Sequence, residues 1–209
     1  MLNHIREIVE ATPLPVNADF ERGYADDPED VARNVKLCVG TGVAGLSIED
    51  NSRRDDSPLY DTELAVERIR AARAAIDVSE IPVVLTARCE AWLVDAPDSF
   101  HVAIERLVAY AAAGADCLYA PGVRGPKEIA EIVRAVAPKP VNVLVSKFNH
   151  ELSLSQLEDL GVRRISLGSG LALVAWNAFM RAARSLSSGS FTALADAAPS
   201  AELNELFSD

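Results

Sequence analysis

A chain of 209 residues, 49% apolar and 24% charged, has the balance of an ordinary soluble globular protein and ample material for a core. Its 20 Lys and Arg stand against 31 Asp and Glu, giving a net charge of −11 with no basic cluster, so nucleic acid is not an expected partner. No apolar run approaches the roughly 18–20 residues a bilayer span requires, and Arg6, Glu7 and Glu10 rule out a signal peptide at the start, so no membrane association is expected.

The chain alternates short apolar runs with amphipathic stretches. The runs predict six strands: Leu14–Asp19, Val43–Asp50, Ile81–Glu90, Ala115–Gly122, Pro140–Lys147 and Arg163–Gly170. Their nearly continuous apolar character suggests strands covered on both faces, as in parallel sheets. Between the first two, Asp27 is placed to cap a helix, Pro28 to start it, and Gly40 and Gly42 to stop it. The next helix carries Leu64, Ile69, Ala72 and Ile76 near one face. A helix between the third and fourth runs ends on Gly114, and another lies between Pro126 and Pro138. A short helix follows around "LSLSQLEDLG", then the long Ala-rich "GLALVAWNAFMRAARSL", with 188–209 as a tail holding a small helix or two. The whole is expected to be one domain, 1–209. Such βα units build either a doubly wound sheet or part of a (β/α) barrel, and periodicity does not choose between them.

Both architectures place ligands at the C-terminal strand ends. The first tip offers Asn17, Asp19 and Glu21, the second Glu49, Asp50 and Asn51, the third Arg88 and Glu90. The fifth offers Asn142, Ser146 and Lys147, and the sixth Ser166 to Gly170. Asp19 and Glu49 at neighbouring tips supply oxygen ligands of the kind a hard cation takes, or they are simply turn and cap residues. Arg88 is suited to clamp a carboxylate, or to pair with Glu90. Cys38, Cys89 and Cys117 sit singly in apolar stretches without metal spacing, as reduced core thiols of a cytoplasmic protein would. His4, His101 and His150 have no Ser or Cys partner implied by spacing.

At these residues the sequence resembles the isocitrate lyase/phosphoenolpyruvate mutase superfamily, most closely its phosphoenolpyruvate mutase-like branch. The resemblance is carried by "LPVNADFERGYADDPEDVARNV", "GVAGLSIEDN", "IPVVLTARCEAW" and "LGVRRISLGSGLALVAW", and spans about residues 3–187. It implies an α/β fold of the (β/α)8 TIM-barrel type, of which six βα units are present here. It implies Mg2+ and a small 2-oxo acid or related carboxylate, with a C–C or P–C bond made or broken through an enolate. On that likeness Asn17, Asp19 and Glu49 surround the Mg2+, and Arg88 binds the substrate carboxylate as the catalytic clamp. A homo-oligomer, dimer or tetramer, is implied as well.

The likeness has departures. Asn17 stands where the family usually has Asp, which lowers the expected cation affinity. The stretch "NSRRDDSPLYD" lacks the Cys and His of the lyases' lid, so 2-methylisocitrate-type cleavage is not expected. Two N-terminal strands of the barrel have no counterpart, so either the chain is incomplete or partner chains cover the gap. The alternative function is a catalytically silent barrel paralogue acting through association.

Overall fold

The computed structural model describes residues 1–146 and 149–207. Its internal contacts divide the chain into two compact units, Met1–Ser166 and Leu167–Asp209. The division falls ahead of the long Ala-rich helix, whereas the sequence suggested a tail beginning only at residue 188.

Among the described residues of the first unit, six strands form one parallel sheet: β1 (Asn17–Asp19), β2 (Gly45–Glu49), β3 (Val84–Arg88), β4 (Cys117–Tyr119), β5 (Val141–Leu144) and β6 (Arg164–Ser166). Each lies within a predicted run but is shorter than it; Lys147, at the predicted fifth tip, lies outside the described residues. The sheet order is β1-β2-β3-β4-β5-β6, without the reversal that defines a doubly wound fold. Crossovers of one hand in an unreversed order bring every helix to the same face and curl the sheet as part of a barrel.

The helices of this unit are α1 (Leu2–Glu10), α2 (Pro28–Val39), α3 (Thr62–Val78), α4 (Ser99–Ala112), α5 (Pro126–Val136) and α6 (Leu154–Asp159). The punctuation acts as read. The Asp27 carboxylate accepts from the Glu29 N–H at 2.8 Å with Pro28 in the first turn. Ser153 and Gln156 form a reciprocal capping box on α6. On α3, Ile69, Ala72 and Ile76 are buried as expected, and Arg68 is buried beside them at 1% exposure.

Alternation along the strands sorts the side chains. Ala18, Leu46, Ile48, Leu85, Ala87, Leu118, Val141 and Val143 join one core with Val31, Val35, Ile69, Ala103, Leu107, Ile129 and Ile132 of the helices. Each large aliphatic group buried there contributes about 1.5–3 kcal/mol. The other face is largely polar, so the strands are not apolar on both sides as their composition suggested. That polar inner face is where the predicted site residues lie.

The second unit comprises α7 (Gly170–Ser187), a 3-10 turn at Thr192–Asp196 and α8 (Ser200–Leu206). No residue of α7 is buried, and Leu171, Val174, Trp176 and Phe179 are all exposed. Among the described residues no helix is long and apolar enough to cross a membrane.

Candidate active site

The pairing register arranges the inner face in rows. Asn17, Gly45 and Val84 form the lowest row, and Asp19, Ser47, Thr86 and Cys117 the next. The top row runs across five strands as Glu49, Arg88, Tyr119, Asn142 and Arg164. Rows two residues apart along a strand are separated by about 6.6 Å.

Arg88 stands among carboxylates. Its Nε donates to Glu90 and lies 3.7 Å from Glu49, while one terminal nitrogen, Nη1, reaches Asp19 at 3.4 Å. The Tyr119 ring lies 5.4 Å from its guanidinium carbon. From the loop after β2, Arg53 bridges Glu49 at 3.0 Å and Glu21 at 3.4 Å. Ser47 donates to Asp19 at 3.2 Å. Four carboxylates (Asp19, Glu21, Glu49, Glu90) thus face two guanidiniums, a formal excess of two negative charges.

The electrostatics follow from burial. Glu49 is 4% exposed; loss of solvent, then the charge of Glu90, pushes its carboxyl up to about 7 against the opposing pull of Arg88 and Arg53. Burial likewise raises Glu90, with the Arg88 hydrogen bond opposing. For Arg88 burial works against the charge, yet Glu90, Glu49 and Asp19 together hold it above the ordinary arginine value.

A buried ionic network fixes this corner. Asp50, 3% exposed, donates its backbone N–H to the Arg88 carbonyl at 3.1 Å and accepts the Glu90 N–H on its carboxylate at 2.8 Å. The other carboxylate oxygen accepts from Tyr110 at 2.6 Å and Arg106 at 3.0 Å. Asp50 therefore brackets the segment that carries Arg88. Arg68 performs a similar task for the loop after β1, donating to the carbonyls of Arg22, Ala25 and Asp26 and stacking 4.2 Å from the Tyr60 ring.

The structure brings Asp19, Glu49 and Arg88 together, but not Asn17. Asn17 pairs with Gly45, four residues below Glu49, or about 13 Å along the strand. Its Oδ1 lies directly over Gly45, 2.7 Å from where a Cβ would stand. Asn17 thus stands one row below Asp19 on the same face, and the residue level with Glu49 is Glu21, whose carbonyl accepts the Glu49 N–H at 2.9 Å. Glu21 stood in the first tip's polar run; its level was hidden because the chain leaves the strand there with φ +47°. Arg53 and the Asp50–Arg106 pair, 56 residues apart, had no signal in the sequence. His4 and His101 pair with Glu7 and Asp98 on the surface.

Among the described residues no three His, Cys, Asp or Glu side chains converge closely enough to hold an ion by themselves. The donor chemistry nevertheless suits a hard divalent cation. All the acidic donors are oxygens, they carry a formal excess of two charges, and Mg2+ uses one or two carboxylates while keeping several waters.

The family model for phosphoenolpyruvate phosphomutase matches residues 1–187. A solved structure of a protein named as a lyase/mutase from Burkholderia cenocepacia J2315 is 45% identical with a TM-score of 0.93, covering 100% of this chain and 75% of that one. An uncharacterized protein of Mycobacterium tuberculosis is 35% identical over 83% of this chain and 62% of its own length. A 2-methylisocitrate lyase of Escherichia coli K12 is 36% identical over 57% of this chain and 40% of its own. The chain thus spans less than two thirds of the length of these curated relatives.

Proposed function

Because the chain belongs to the phosphoenolpyruvate mutase/isocitrate lyase superfamily, we propose that it is a Mg2+-dependent lyase or mutase acting on a small 2-oxo acid or related carboxylate. The observation that carries this reading is the acidic corner at the C-terminal strand ends, where oxygen donors outweigh guanidiniums by two charges beside an arginine fork. Asp19 and Glu49 hold the cation, with Glu21 level with Glu49. Bound there, a divalent cation supplies positive charge for an oxygen that becomes anionic as an enolate forms, which favours the transition state over the ground state.

The protein's own groups bind and orient. Arg88 takes the substrate carboxylate through Nη2, which has no hydrogen bond among the described residues, while Glu90 fixes its Nε. Tyr119 packs against the guanidinium, and Asp50 holds the Arg88–Glu90 backbone in place. Because Glu90 and Glu49 keep Arg88 charged despite its burial, the fork is ready for an anion without reorganisation.

The reading includes a reducing, cytoplasmic setting, supported by three buried unpaired thiols, and a homo-oligomer, supported by the exposed apolar residues of α7. Nothing in the fold or the comparisons favours a silent barrel acting only by association. Calorimetric titration with oxalate, a mimic of the pyruvate enolate, tests the assignment. Binding to the wild type depends on Mg2+ and is abolished in Asp19→Ala. Oxalate binding at wild-type strength in that variant would overturn it.

A further inference from the structure

Arg53 enters the acidic corner from the loop between β2 and α3, and the backbone of that loop is tied down on both sides of it. The Asn51 side chain accepts the Arg53 N–H at 2.8 Å, and Ser52 Oγ accepts the Arg54 N–H at 3.1 Å. Ser52 donates its own N–H to Pro58 at 2.8 Å, its carbonyl accepts from Arg22 at 3.2 Å, and Arg54 pairs with Asp26 at 3.3 Å. Arg53 itself sits in the left-handed region at φ +62°, a conformation that persists in a non-glycine residue only where the surroundings fix it. The backbone therefore aims this side chain at the corner.

Both oxygens of the buried Glu49 carboxylate face a guanidinium. Oε1 faces Arg53 at 3.0 Å and Oε2 faces Arg88 at 3.7 Å. Mg2+ comes within about 2.0–2.1 Å of its oxygen ligands and repels a like charge on the same carboxylate, so a cation that takes Glu49 must loosen one of the two arginines. They are unequally held. Arg88 has a side chain only 16% exposed, fixed on Nε by Glu90 and on Nη1 by Asp19. Its departure would strand Glu90, 4% exposed, without a counter-charge. Arg53 has a side chain 54% exposed, and among the described residues its guanidinium bonds only Glu49 and Glu21, both through Nη2. It is the arginine free to yield.

We propose that Arg53 is the acidic corner's own counter-cation: its guanidinium bridges Glu49 and Glu21 until a divalent cation displaces it, and so sets the affinity for that cation. This rests on the proposed function, with Asp19 and Glu49 holding the cation. A dication at shorter range outcompetes a single guanidinium charge, but only by the difference between the two. Arg53 thus keeps the affinity below what the four carboxylates and Arg88 would give without it. Only the side chain moves, because none of the hydrogen bonds that fix the loop passes through this guanidinium.

The test is calorimetric titration of Mg2+ into the full chain at one fixed excess of oxalate. It is run at about pH 8.5, above the Glu49 value of about 7, so that proton and metal do not compete. Arg53→Met needs at least about threefold less Mg2+ than the wild type, as expected on removing two partly exposed ion pairs. Arg53→Gln, which keeps a donor without the charge, gives a like gain, so the comparison stands if one neutral variant does not fold. Arg53→Lys keeps the charge and stays nearer the wild type. An arginine that merely organised the carboxylates for the cation would weaken binding on removal. Weaker Mg2+ binding, or a gain below threefold, in the folded neutral variants would overturn the proposal and leave the acidic corner standing. A wild type that takes up no Mg2+ even with oxalate would overturn the proposed function itself, and this inference with it.

Discussion

The two sides of the inner face are built from the same row of the same sheet, yet they treat charge in opposite ways. At β1–β3 every charged group has a partner: Arg88 meets Asp19, Glu49 and Glu90, and Arg53 meets Glu21 and Glu49. At β5–β6, among the described residues, Arg164 is oriented only by a neutral amide. The crowded side also rests on a buried ionic network, Asp50 with Arg106 and Tyr110, whereas on the sparse side Arg164 is held through Asn142, which in turn bonds Ser166. The difference shows where the molecule invests rigidity. Four carboxylates repel one another and stay together only if the backbone beneath them is fixed, whereas a single cation needs only to be aimed.

The comparison is broken most severely by removing what fixes the crowded side. Asp50→Ala leaves Arg106 buried without its counter-charge and costs about 3–5 kcal/mol of stability, measured by urea unfolding. A loss below about 1 kcal/mol would mean that the network does not carry this corner. Next comes Glu21→Gln, which removes one of the four charges without changing shape. It weakens Mg2+-dependent oxalate binding by about tenfold, equivalent to about 1.4 kcal/mol; an unchanged titration would take Glu21 out of the site. The smallest effect belongs to Asn17→Asp. Since Asn17 lies two rows below Glu49, a new carboxylate there changes metal-dependent affinity less than threefold, about 0.65 kcal/mol. A tenfold gain would return Asn17 to the cation's neighbourhood.

Much of the fold could be read from the chain because it depends on local patterns. Each strand coincides with an apolar run, and Asp27 marks a helix start by accepting the N–H two places on, with Pro28 in the first turn. Strand order did not follow, because a doubly wound sheet and a barrel share the same local period; only the unreversed pairing distinguishes them. The position of Asp19, Glu49 and Arg88 at neighbouring strand ends could be read because a strand tip is a local feature. The heights of Asn17 and Glu21 relative to Glu49 could not, because a side chain's height depends on its partner strand's register. Here Asn17 meets Gly45, while Glu49 meets the turn at Glu21. Asp50 read only as one of the second tip's polar residues for the same reason: its partners Arg106 and Tyr110 lie a helix and a strand away. Long-range ionic contacts leave no period in a sequence.

The most direct measurement for the central claim is a thermal melt of the full chain with Mg2+ alone, oxalate alone and both together. A ligand that binds only the native state must raise the melting temperature. The acidic corner predicts an upward shift only when both are present, about 5–10 °C at a hundredfold excess over the dissociation constant. The same melting temperature in all three conditions would contradict a metal-dependent site at Asp19, Glu49 and Arg88.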